Sequence, residues 1–412
     1  MTEQRWAWLR DQMPVTRDWV YMNSGWSGPL SRPVVEAMQK RLDLEFQLGP
    51  TTRAVMDDRM ALGNEFRALT ARMLGADDDE IAIMGNTTEG VNVAMNGLRY
   101  AAGDVVVTSN TEHSSGLVPA YYLRERFGAE LRIVSLDVSD SPGAIVEAYA
   151  TALGGGRSRL VVISEVSYST GQLLPLKEIV EAAHRAGAEV LVDGAQTAGH
   201  IPIDVHATGV DYYAVPSHKW LCGPDGLGAL YVRRDKIATL EPQKVAGRAA
   251  ASYDYEGGFV PEREKITKFE LTTISGVLLA GTNAATQVYL DSGPEAVFAR
   301  DQALNRYAEQ RFSSIPRVTV TGPTNESTRS GLFLFSVEGE TPARVSAFLQ
   351  QEAKVVCRAV AQFGSTRLSL HCFNTEAEID RAAECVERAV ANGIPDDVGA
   401  AATAEATAAA AT

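Results

Sequence analysis

Between residues 80 and 234 the chain repeats one alternation, short apolar β-branched runs separated by spans of helical periodicity. The runs are EIAIMG (80–85), DVVVTSN (104–110), LRIVSLD (131–137), SRLVVISEVS (158–167), AEVLVDGAQ (188–196), VDYYAVPSHK (210–219) and GALYVRR (228–234). The spacers include TTEGVNVAMNGL, SSGLVPAYYLRERFG and LKEIVEAAHRAG, the last closed by a helix-stopping Gly187. Strands that are apolar on both faces need helices on both sides of the sheet. The pattern therefore predicts an α/β fold with a doubly wound, mostly parallel, seven-stranded sheet.

A chain of 412 residues outgrows one core, so a second unit is expected. Beyond residue 290 the pattern changes to a helix (PEAVFARDQALNRYAEQRFSSI), strands VTVTG and GLFLFSVEG, a helix (TPARVSAFLQQEA), and a closing strand and helix. That order reads as a smaller C-terminal α+β domain. The expected division is a 1–20 N-terminal segment packing on the small domain, a 21–285 large domain, a 286–395 small domain, and a 396–412 Ala/Thr-rich tail without apolar periodicity.

The net charge of −14 argues against a partner that presents a phosphate backbone, so no nucleic acid is expected. No window holds 18 apolar residues and the N-terminus MTEQRWAWLRDQMP is charged throughout, which predicts no membrane association and a cytoplasmic enzyme. Cys222, Cys357, Cys372 and Cys385 show no Cys-x-x-Cys spacing and fit a reducing compartment. The six histidines form no His-Glu-x-x-His pattern, and no metal is assigned.

In open α/β sheets ligands bind beyond the carboxyl ends of the strands, so the residues just after each run carry the functional argument. After the first run, GNTTEG places Thr87 and Thr88 at a helix start, where backbone N–H groups and the helix dipole suit an anion. After the second, TEHSS puts His113 at a strand-to-helix turn, able to stack on a flat ring or pass protons. After the fifth, DGAQ leaves Asp193 at the end of an apolar strand, in need of a positive partner such as a protonated pyridine nitrogen. After the sixth, SHKW sets Lys219 where a buried strand meets a glycine-rich turn, and burial lowers a lysine's pKa and makes it a nucleophile toward carbonyls. Alone, Thr87 and Asp193 are equally helix caps, His113 a capping residue and Lys219 a surface lysine. Their succession on one sheet is what argues for a site.

The set GNTTEG, TEHSS, DGAQ, SHKW with GPDGLGALYV, and FELTT (269–273) resembles the class V aminotransferase family of fold-type I pyridoxal-phosphate (PLP) enzymes, which includes cysteine desulfurases, cystine C-S lyases and isopenicillin N epimerase. The resemblance runs from about Tyr21 to Ala391. It implies that Lys219 is the Schiff-base lysine and moves the substrate's α-proton, that Asp193 pairs with the pyridinium nitrogen, and that His113 stacks on the ring. It further implies that Thr87 or Thr88, Ser217 and His218 hold the phosphate and that Gln196 contacts the ring's phenolic oxygen. In the family the FE-x-GT segment reaches a neighbouring subunit's phosphate. FELTT thus implies a homodimer with sites shared across the interface and Thr273 in that role, although Thr272 replaces the usual glycine. Arg367, with Arg358 as second candidate, fits the substrate carboxylate, while Asn23, Trp26 and Tyr168 border the substrate.

Desulfuration requires a flexible-loop cysteine, and the interval AVAQFGST between Arg358 and Arg367 has none. Cys357 and Cys372 flank it in expected strand context, where a thiol is buried and inert. The expectation is therefore a PLP-dependent carbon–sulfur β-lyase in amino acid metabolism, acting on cysteine, cystine or a cysteine S-conjugate through an aminoacrylate that decays to pyruvate and ammonia. Transamination, epimerisation or decarboxylation with oxidative deamination are the alternatives, and a non-enzymatic subunit with this fold is the remote one.

Overall fold

In a computed structural model, described over residues 2–398, all seven runs form strands of one sheet. They are β1 (Ile81–Met84), β2 (Asp104–Ser109), β3 (Glu130–Val134), β4 (Arg157–Ser164), β5 (Glu189–Asp193), β6 (Tyr212–Pro216) and β7 (Gly228–Val232). Their order across the sheet is β1-β7-β6-β5-β4-β2-β3, parallel from β6 to β3, with β7 antiparallel to both neighbours. Val105, Val106 and Val107 are all 0% exposed, so helices cover both faces, as the continuous apolar runs require. β3 lies at the edge, and there Ile133 is exposed.

Because β1 points the same way as the parallel strands, the carboxyl ends of β1, β2, β5 and β6 share one edge of the sheet. The reversed β7 begins at that edge, where Gly228 pairs with both Met84 and Pro216. This topology brings residues from four separated motifs to one cleft.

The second sheet is antiparallel, ordered β8 (Val318–Val320), β9 (Leu332–Val337), β11 (Ser365–Ser369) and β10 (Arg358–Val360), and packs on helices Pro294–Ser313, Pro342–Ala353 and Glu376–Asn392. Helix Gly276–Ser292 runs uninterrupted through the expected 285/286 boundary. In the N-terminal segment, Trp6, Leu9 and Met13 enter the larger core, while Arg10 pairs with Glu378 at 2.7 Å. Val20–Tyr21 then pairs in parallel with Val355–Val356, and Asn23 bridges to Ser369. A hairpin, Ala250–Tyr253 with Phe259–Pro261, stands exposed. Cys357 falls in the one-residue gap between strands Val355–Val356 and β10, and Cys372 in a turn after β11, rather than in strands. Most of the expected 396–412 tail lies outside the described residues. No helix among them is long and apolar enough to cross a membrane.

Candidate active site

Lys219 stands three residues past the end of β6, in a loop clasped by two other backbones. The Gly28 N–H donates to the His218 carbonyl at 2.7 Å, and a Cβ on Gly28 would lie 2.2 Å from the Lys219 carbonyl oxygen. On the other side Gly199 adopts φ +85°, and a Cβ there would meet the Leu221 nitrogen at 2.3 Å. Gly199→Ala is expected to destabilise the fold by about 2 kcal/mol or more, from a left-handed backbone and a collision with a chain that has no room to yield, read as a lower urea midpoint.

Lys219 keeps partial accessibility yet is enclosed by protein, and burial pushes its ammonium down to about 8. Asp193 opposes that shift, whereas Arg367 and Arg358 add to it. A lysine so placed is largely protonated at neutral pH but yields a substantial fraction of free amine.

Asp193 ends β5 at 2% exposure. No helix follows it, so the capping alternative is overturned; its Oδ1 instead accepts the Ala195 N–H at 2.9 Å. His113 does cap helix Ser114–Phe127, with Nδ1 accepting the Ser115 N–H at 3.2 Å. It also faces the cleft: the Ser115 hydroxyl sits 2.7 Å from Nδ1 and 3.3 Å from Asp193 Oδ2, tying the two residues together. Burial first, and the Lys219 charge second, lower the His113 pKa and favour the neutral ring. Its edge meets Tyr168 with centroids 5.0 Å apart.

At the end of β1, Asn86 caps helix Thr87–Gly97 by accepting the Glu89 N–H at 2.9 Å. Thr87 is therefore not the cap. Its hydroxyl is buried without a partner, and Thr88 beside it is exposed. His218 Nδ1 is likewise buried without a hydrogen bond, 3.8 Å from the exposed Asp225 Oδ1, while Ser217 Oγ lies 3.0 Å from Thr282 Oγ1. Glu89, the one acid in this first turn, is neutralised by Lys244. The orphaned Thr87 hydroxyl stands at the positive end of an 11-residue helix, a setting that suits an anion.

Arg367 on β11 and Arg358 on β10 are directly opposed across the ladder. Arg367 is 0% exposed; its Nη1 donates to the Tyr168 carbonyl at 2.8 Å, and Nε and Nη2 have no partner. Burial and the Arg358 charge press its guanidinium down to about 9, still protonated at neutral pH. Arg358 lies 4.2 Å over the Trp26 ring, a cation–π contact. Neither arginine forms an ion pair with a carboxylate among the described residues. Asn23 is buried with an unpartnered Oδ1, and half-buried Tyr168 receives the Gln362 amide on its hydroxyl. Gln196 spends its amide within the protein, donating to the Gly25 carbonyl and accepting from Trp220 Nε1, each at 2.8 Å, which leaves one N–H for the cleft. Thr273 is exposed, while Glu270 of the same FELTT segment is buried against Arg67.

Sequence reasoning missed Ser115, Asn86, Thr282 and Trp220. Ser115 stood within TEHSS, and its offset of two from His113 was the available signal. Thr282 comes from a helix without any motif.

Fold and cleft together define a two-lobed α/β enzyme with a strand-end lysine and aspartate facing a pair of arginines, one buried and one partly exposed. The chain matches the Aminotransferase class-V family over residues 20–382, and it belongs to that family. It is 31% identical over 405 residues to a probable cysteine desulfurase of Methanothermobacter thermautotrophicus, covering 93% of this chain and 98% of the relative. It is 34% identical over 316 residues to a cysteine desulfurase of Enterobacter sp. (strain 638), covering 74% of this chain and 76% of the relative. Among solved structures, the cystine C-S lyase C-DES in complex with its product cysteine persulfide superposes with a TM-score of 0.84 at 27% identity, covering 91% of this chain and 99% of that one. The apo cysteine desulfurase of Thermococcus onnurineus NA1 gives 0.85 at 25% identity, covering 93% and 98%. The fold is that of the fold-type I enzymes.

Proposed function

We propose that the chain is a PLP-dependent carbon–sulfur β-lyase acting on cysteine, cystine or a cysteine S-conjugate. The observation that carries this is a desolvated Lys219 set between Asp193 and two guanidiniums that lack carboxylate partners. The donor set fits PLP: an anion seat with orphaned Thr87 and His218 atoms, a buried acid for a ring nitrogen, and a neutral imidazole at the cleft wall. Thr87, Thr88, Ser217 and His218 would hold the phosphate, Asp193 the ring nitrogen, and His113 the ring face, with Gln196 near the phenolic oxygen. When bound, PLP supplies an aldehyde for Lys219 and the substrate amine, and an electron sink for the charge left at the substrate Cα.

The chain's own groups do the rest. Arg367 grips the α-carboxylate and orients the Cα–H bond toward Lys219, whose amine takes the proton. The Cβ–S bond then breaks, sulfur leaves with its electron pair as a thiolate or, from cystine, a persulfide, and the three-carbon product hydrolyses to pyruvate and ammonia. Asn23, Trp26 and Tyr168 wall the side-chain end. The relatives named desulfurases notwithstanding, no cysteine lies between Arg358 and Arg367, and burial pushes the Cys357 thiol up to about 12. Sulfur is therefore released in the leaving group and not captured by an enzyme thiolate.

Arg358 is assigned to a second negative group on the substrate, the distal carboxylate of cystine. Arg358→Ala is expected to raise KM for cystine about tenfold or more, with less than about threefold change for S-methylcysteine, read as pyruvate formation. No pyruvate from either substrate, with PLP bound, would reject the lyase assignment.

A homodimer in a cytoplasmic setting completes the proposal. Exposed Phe46, Tyr255 and Phe259 on one protomer offer apolar surface for a second copy, and the exposed Thr273 is assigned to a partner's phosphate. The four cysteines are free thiols, which suits a reducing compartment.

A further inference from the structure

Trp220, the residue after Lys219, is 1% exposed and held from several directions. Its indole lies flat on the His200 ring, with centroids 3.8 Å apart and planes 8° apart. His371 meets the indole edge-on at 5.3 Å, and His371 Nε2 lies 2.9 Å from the Trp220 carbonyl oxygen. A carbonyl can only accept, so Nε2 carries a proton. On the other side of the ring, Nδ1 faces Asp301 Oδ2 at 3.0 Å. Asp301, His371 and Cys372 are close enough to share a metal ion, but both ring nitrogens are already engaged, and the arrangement reads as a clamp.

Both members come from the small domain. Asp301 lies on helix Pro294–Ser313 and is 0% exposed. His371 follows β11, the strand that carries Arg367, and is fixed in its turn by Asn374: its N–H donates to Asn374 Oδ1 at 3.0 Å, and its carbonyl accepts the Asn374 N–H at 2.7 Å. The small domain adds a second hold on the stacked pair, since the Gly331 N–H donates to His200 Nε2 at 2.8 Å. The five-residue stretch Arg367 to His371 therefore links the arginine that would hold substrate to the Trp220–Leu221 peptide bond, one residue beyond the reactive lysine.

On the assignment of Lys219 made above, we infer that the Asp301–His371 pair is a positioning element: by holding the Trp220 carbonyl it sets Lys219 against a substrate anchored on Arg367. The pair touches neither substrate nor cofactor.

Two variants separate clamp from fold. Asp301→Asn leaves a neutral imidazole that still donates from Nε2. Asp301→Leu combined with His371→Met removes the donor and replaces a buried ion pair by apolar side chains of similar size, an exchange such pairs tolerate. In the reconstituted holoenzyme the double variant is expected to lose about tenfold or more in kcat with KM nearly unchanged. Its apoprotein should capture PLP at Lys219, trapped by borohydride and read by peptide mass, slower by a similar factor, while Asp301→Asn stays within about threefold of wild type on both measures. Wild-type kcat and capture rate in the double variant would overturn the clamp. So would an equal loss in Asp301→Asn, which would assign the effect to charge, or a collapsed urea midpoint in the double variant, which would assign the pair to folding. If the wild-type protein gave no pyridoxyl mass at Lys219, the lyase assignment itself would fall, and this inference with it.

Discussion

Lys219→Ala should fold, keep its affinity for inorganic phosphate at the helix Thr87–Gly97 seat, and lose pyruvate formation by about 10³-fold or more, because one substitution removes both the covalent anchor and the base for the α-proton. The visible absorbance of the lysine–cofactor adduct should vanish with it. A companion result comes from the wild-type apoprotein. With the amine pushed down to about 8, the rate of PLP capture should climb about tenfold between pH 7 and a plateau near pH 9. An unperturbed lysine, titrating near about 10.4, would keep accelerating through pH 10. The sign follows from the chemistry: only the neutral amine attacks, and burial disfavours the charged form. Retained turnover in Lys219→Ala, or capture that still rises steeply at pH 10, would remove the basis of the functional proposal.

Arg367→Leu should raise KM for every amino-acid substrate about 10²-fold while leaving cofactor content intact, since a buried bidentate grip on a carboxylate contributes about 3 kcal/mol. Arg367→Lys should recover little of this, because an ammonium cannot reproduce the planar fork. The substitution should not weaken the fold. Arg367 is fully buried with two unpartnered nitrogens and Arg358 opposite it, so removing its charge relieves desolvation and repulsion together. A higher urea midpoint alongside the higher KM is the expected pair of results, and a lower midpoint with unchanged KM would mark Arg367 as a structural residue. This is the stability sacrificed for binding that functional sites commonly show.

The sheet was legible because continuous apolar runs such as DVVVTSN and AEVLVDGAQ leave a strand no choice but burial on both faces. The polar residues at the strand ends were legible for the same reason, being the first that such runs do not bury. Other features depend on contacts that a linear pattern does not encode. Trp220 is held by His200 and His371, 20 and 151 positions away, and Ser217 by Thr282, 65 positions away. Asp193 resembled a cap until the chain after it proved to be turns, and Thr87 resembled one although Asn86 takes the role. The bounds of β10 were not legible, because three residues, Arg358–Val360, are too few for an alternation to show. Helices Arg32–Leu48 and Arg53–Leu74 carry no motif that would single them out.

The pairing of Val20–Tyr21 with Val355–Val356, and the bridge from Asn23 to Ser369, have a consequence for biogenesis. Residues 20–23 wait for partners more than 300 positions further along the chain, and contacts of such long sequence separation form late. The larger sheet can assemble on the emerging nascent chain, but the wall that holds Arg367 closes only after Ser369 has been made. A pocket complete with Arg367 is open to vitamin B6 only after that closure.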